Sequence, residues 1–79
     1  MLGVNQRDID LTDRHELIHH GTIAGVVGLL DDDRIYALVW DGDHFRQVDR
    51  GFWSLAGARR WVRRRVGGGT WQRAAPPWL

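Results

Sequence analysis

The run Ile35-Tyr36-Ala37-Leu38-Val39-Trp40, followed at once by Asp41-Gly42, constrains this chain more than any other feature. β-Branched and aromatic residues fit a pleated, half-buried surface, and Asp-Gly admits the positive φ of a tight hairpin. The segment therefore predicts a central strand that returns antiparallel through Phe45, Arg46, Gln47, Val48 and Asp49. If Asp41-Gly42 is a two-residue loop, Leu38 faces Phe45 and Ala37 faces Arg46. Tyr36, Leu38, Trp40 and Phe45 then share one side of the sheet, and Ile35, Ala37, Val39 and Val48 share the other. Both sides carry apolar groups.

Upstream, Thr22 to Leu30 reads TIAGVVGLL. Its length and β-branched content favour a strand, with a buried helix as the alternative. Asp31, Asp32 and Asp33 mark a turn, because short acidic side chains satisfy turn backbone groups and resist burial. Between Asn5 and His20, Thr12 can cap a helix with Asp13 in its first turn and Glu16 close by, and Gly21 can end it. A short N-terminal helix is expected there.

Downstream, Ser54 is a good N-cap, Leu55 to Val66 has helical length, and Gly67-Gly68-Gly69 stops it. At 100° per residue, Leu55, Ala58, Val62 and Val66 form an apolar stripe with Trp61 at its border. Arg59, Arg60, Arg63 and Arg64 fan over the opposite side, and Arg65 lies on the flank of the stripe. Thr70 to Leu79 contains Trp71, Pro76, Pro77 and Trp78 and predicts no regular element of its own.

At 79 residues with no cysteine, the chain has room for one small domain and no disulfide scaffold or Cys-based zinc finger. The expected fold is α+β: a three-stranded antiparallel sheet from about Thr22 to Trp53 packed by one C-terminal helix, with a short N-terminal helix. Residues 1–66 form the domain, and 67–79 form an extended tail that contains Trp71 and Trp78. One helix covers one side of the sheet, so a homodimer or a docked tail is expected over the other. Trp40, Trp53 and Trp61 are expected in the core. No stretch reaches the roughly 20 apolar residues that span a bilayer, and Met1 to Asp10 lacks the blocks of a signal peptide. The expectation is a cytoplasmic protein with no membrane contact.

Charge carries the functional argument. Net charge is +1, but residues 1–49 hold four arginines and all ten acids, whereas residues 50–79 hold seven arginines and no acid. Such a dipole suits either polyanion binding by the C-terminal half or pairing between the halves. Arginine supplies fixed charge and fork-shaped donors for phosphate, so Arg59, Arg60, Arg63 and Arg64 form the leading nucleic-acid-binding candidate, which Arg50 and Arg73 can extend. The competing reading is a protein-interaction module or small inhibitor that binds a partner through the dipole and through Trp71 and Trp78.

His15-Glu16-Leu17-Ile18-His19 matches the H-E-x-x-H pattern, in which two histidines one helical turn apart hold zinc and the glutamate activates water. Glu16 is the only Glu, which leaves Asp31, Asp32, Asp33 or His44 as a third ligand; His15 and His19 therefore read as a coincidental surface motif, with adventitious metal binding by His15, His19 and His20 expected ahead of hydrolysis. No Ser-His-Asp set or phosphate-cradling loop is present in the sequence, and no enzyme activity or cofactor is expected.

Three strands followed by a helix, with Trp40-Asp41-Gly42 at the hairpin and Gly51-Phe52-Trp53-Ser54-Leu55-Ala56-Gly57-Ala58-Arg59-Arg60-Trp61 entering the helix, resembles the small modules at the N-termini of phage integrases and in AP2-type DNA-binding domains. The resemblance spans about Thr22 to Val66. It implies a non-enzymatic DNA-binding protein of phage or mobile-element type whose exposed sheet face enters the major groove, pointing to Arg34, His44, Arg46 and Arg50. This chain departs from the pattern in an apolar sheet face and an acidic hairpin with Asp41, Asp43 and Asp49. The arginine face of the helix is then the alternative contact.

Overall fold

Ile35 to Trp40 is a strand, as its composition predicts, and the rest of the sheet is built around it. The computed structural model describes residues 11–74. In chain order the elements are β1 (Thr12–His19), β2 (Thr22–Leu29), β3 (Ile35–Trp40), β4 (Phe45–Gln47), α1 (Leu55–Val66) and β5 (Thr70–Arg73). The strands form one antiparallel sheet in the order β4-β3-β2-β1-β5, with α1 packed against β2 and β3. The α+β class holds, but the sheet has five strands where three are expected.

The extra strands correct two expectations. Thr12 to His19 is not helical: it is β1, paired with β2 on one side and β5 on the other. The physical reason lies in His20-Gly21. With φ of 54° and 77°, these residues make a two-residue hairpin turn that sets His19 opposite Thr22. The glycine that reads as a helix stop is a hairpin residue. Likewise, the tail is not wholly irregular, since Thr70–Arg73 pairs with His15–Ile18. The part of the expected helix before residue 11 lies outside the described residues.

Thr22–Leu29 is the strand favoured by its composition. The acidic turn forms as expected: the Asp32 carboxylate accepts from the Arg34 backbone N–H at 3.2 Å and from Arg34 Nε at 2.6 Å. The β3–β4 register differs from the two-residue loop. Trp40 pairs with Phe45, Val39 with Arg46 and Leu38 with Gln47, leaving Asp41–His44 as the loop. The Asp41 carboxylate accepts from the N–H groups of Asp43 and His44 at 3.0 and 2.9 Å, which stabilises the wider turn. A slip of two residues keeps every side chain on its side of the sheet, so the division into two apolar sides survives.

The main core lies between the sheet and α1. Leu17, Val27 and Ala37 meet Ala58 and Val62, with Ile35, Val39, Val48, Phe52, Leu55, Trp61, Val66 and Trp71 around them. Close approach is required at Gly25, where a Cβ would lie 2.5 Å from Val62 Cγ1. Ser54 caps α1 by accepting from Gly57 N–H at 3.0 Å, and Gly67 ends it in the left-handed conformation, both as predicted.

Val26 and Leu38 occupy the side of the sheet away from α1 and are nevertheless buried, at 0% and 5% exposure. Arg14 and Glu16 pair there at 3.0 Å. The expected tail over this side is not what the described part of the tail does: β5 extends the sheet edge instead. The tryptophans depart furthest from expectation. Trp61 borders the core, but Trp40 is 42% exposed beside Phe45 and Trp53 is fully exposed. In Phe52-Trp53 only one ring can turn inward, and Phe52 takes that place, 5.9 Å from the Trp61 ring.

Candidate nucleic-acid interface

Helical periodicity splits the α1 arginines into two sets. Ala58 and Val62 are buried against the sheet, which turns Arg60, Arg63 and Arg64 to solvent and leaves Arg59 half-buried at the edge. No acid stands in the first turn of α1, while Arg63, Arg64 and Arg65 occupy its last turn, where cations complement the helix dipole. Arg63 Nε donates to the Gly69 carbonyl at 2.8 Å, joining the helix to the start of β5.

Among the described residues, no carboxylate pairs with an α1 arginine. Four acids pair with arginines elsewhere: Glu16 with Arg14, Asp32 with Arg34, Asp41 with Arg46, and Asp13 with Arg73 at 3.4 Å. Among the described residues, then, the acidic half of the sequence does not cancel the charge of the helix by ion pairing. Those pairs also engage Arg34, Arg46 and Arg73, so among the described residues α1 holds most of the arginines without a carboxylate partner.

Arg46, Arg50 and Arg65 converge on a cleft of about 500 Å³ between the β3–β4 end of the sheet and α1, with Val39, Trp40 and Trp61 among its lining residues. Arg46 donates from Nε to Asp41. The Asp41 carboxyl is held well below the usual carboxylate range, first by the His44 backbone N–H, then by the Arg46 guanidinium and the Asp43 N–H. Arg50 is fixed differently: its guanidinium lies 5.2 Å from the Phe52 ring centroid and 5.6 Å from that of Trp61. Arg65, placed by helical spacing on the flank of the apolar stripe and not among the expected contact residues, joins this group. Its signal is its i, i+4 relation to Trp61, which directs both toward one flank.

Two other sets of candidates fare differently. Trp71 stands opposite Leu17 and packs against the core of its own chain, so it is not an exposed partner contact; Trp78 lies outside the described residues. His15 and His19 lie on a strand, where four residues span about 13 Å instead of one helical turn. That separation removes the geometry on which the zinc motif depends. His15 Nδ1 sits 3.1 Å from the Asp13 carbonyl, and the His19 ring lies against His20. Among the described residues no three His, Cys, Asp or Glu side chains gather to hold a metal, and no helix is long and apolar enough to cross a membrane.

No protein-family model matches this chain, and neither the curated proteins nor the solved structures contain a significant match to it.

Proposed function

We propose that this chain is a small non-enzymatic nucleic-acid-binding protein that grips the phosphate backbone with Arg59, Arg60, Arg63 and Arg64. The observation that carries this reading is the absence of any carboxylate partner for these side chains among the described residues, in a fold where other acids pair with arginines outside the helix. Unpaired guanidinium groups on a rigid helix release counterions from nucleic acid without first breaking internal ion pairs. Arg50, which has no carboxylate partner among the described residues, extends the contact from the neighbouring cleft.

Contact through the helix is favoured over contact through the sheet. Arg34 and Arg46 are each tied to an aspartate, and the side of the sheet away from α1 is built around buried Val26 and Leu38. The strand-strand-strand-helix order of integrase-type modules has its counterpart in β2, β3, β4 and α1, here flanked by β1 and β5. The interaction-module alternative loses Trp71 to the core.

The test is binding to a labelled random duplex, measured by anisotropy at about 50 mM salt, where phosphate contacts are strong. The double variant Arg60→Glu, Arg64→Glu changes two exposed positions and should keep its circular dichroism spectrum. Its duplex affinity should fall by more than about tenfold. Unchanged affinity, or no duplex binding by the parent protein, defeats the reading.

A further inference from the structure

Trp53 is the most anomalous side chain in the fold. Tryptophan is highly buried on average, yet this indole is fully exposed. It is also firmly placed. Phe52 before it is anchored against Trp61 and the core, and Ser54 after it is the extended N-cap of α1. A large aromatic surface is thus held in water on ordered backbone.

Its surroundings combine charge with further aromatic surface. Trp53 lines a cleft of about 560 Å³ with Tyr36, Arg34 and Arg50, and Asp33 and Asp49 share the wall. Arg50 reaches both this cleft and the one beside α1. Stacked over Phe52 and Trp61, it has no carboxylate partner among the described residues, so its donors are positioned in advance and available. Asp33 and Asp49 disfavour a phosphate inside the cleft, whereas the amino groups of bases can donate to carboxylates.

We propose that Trp53 stacks an unpaired base of single-stranded nucleic acid, with Arg50 contacting the adjoining phosphate and the backbone continuing toward Arg65. The inference rests on the nucleic-acid reading above and deepens it, because α1 alone needs only phosphates whereas a stacking platform needs a base free of its duplex. Arginine beside exposed aromatic rings is the combination that holds single strands with little sequence preference.

The experiment compares Trp53→Ala and Trp53→Phe with the parent protein on a mixed-sequence single strand of about 12 nucleotides, within the range of known single-strand sites, and on a duplex of the same sequence. Loss of one stacked base should weaken single-strand binding roughly 5- to 150-fold in Trp53→Ala, leave duplex binding unchanged, and be largely restored in Trp53→Phe. The Trp53 side chain makes no core contact, so the variant's fold should be intact and its unfolding midpoint serves as the control. Single-strand affinity within twofold of the parent overturns the inference while the duplex reading stands. Equal losses on single strand and duplex also overturn it, since stacking on a free base cannot weaken both alike. Failure of the parent to bind either form overturns both readings.

Discussion

At Gly25 a single missing Cβ sets the spacing between sheet and helix. Any side chain there enters the space of Val62 Cγ1, and both residues belong to the packed interior. Gly25→Ala should destabilise the fold by about 1–3 kcal/mol through overpacking. Val62→Ala should also destabilise it, by leaving a cavity. Combined, the two changes should cost less than their sum, because each removes the cause of the other's penalty; urea midpoints of the four proteins test this coupling. Asp41 is the corresponding electrostatic position. With its folded pKa depressed by two backbone N–H groups and Arg46, its contribution is fully present above the unfolded value of about 4 and is lost as pH falls through the folded value. Asp41→Asn should therefore flatten the loss of stability between about pH 5 and pH 2. An unchanged acid limb in denaturation curves would show that the 41–44 turn does not depend on this charge.

Among the elements, α1 is the most fully determined by local chemistry. Ser54, the spacing of Leu55, Ala58, Val62 and Val66, and Gly67 specify its start, its inward side and its end without reference to distant residues. β1 and β5 are specified by one another and by β2. The polar residues of Thr12–His19 suit neither helix nor strand strongly, so ladder hydrogen bonds on both sides decide the conformation. β5 adds Trp71 to the core, which distinguishes this tryptophan from Trp53 in a measurable way. Trp71→Ala should lower stability by about 2 kcal/mol, roughly half the cost of removing a fully buried indole. Trp53→Ala should stay within about 0.5 kcal/mol. Equal denaturation midpoints for the two variants would contradict the packing of β5 against β1.

At the scale of the whole molecule, among the described residues, Arg14, Arg34, Arg46 and Arg73 pair with carboxylates while no arginine of α1 does. That arrangement leaves Arg60, Arg63, Arg64 and Arg65 exposed with no carboxylate partner among the described residues, the feature on which the proposed binding rests. If four α1 arginines neutralise phosphates, log affinity for duplex should fall against log salt with a slope of about −3 to −4, and affinity should drop about 100-fold between about 50 and 200 mM salt. A flat profile would assign the duplex interaction to something other than these charges. The arginine cluster was legible in the sequence because charge density needs no folding to be counted. Its freedom from carboxylates was not, since ion pairs join residues far apart along the chain. By itself the sequence determined the features that neighbouring residues control: β3, the acidic turn, the limits of α1 and which side chains share a side of the sheet. The tertiary structure decided whether Thr12–His19 is helix or strand, where the tail pairs, and which of Phe52 and Trp53 is buried. Each of those outcomes depends on backbone partners and packing space supplied by segments distant in sequence, which local propensity does not encode.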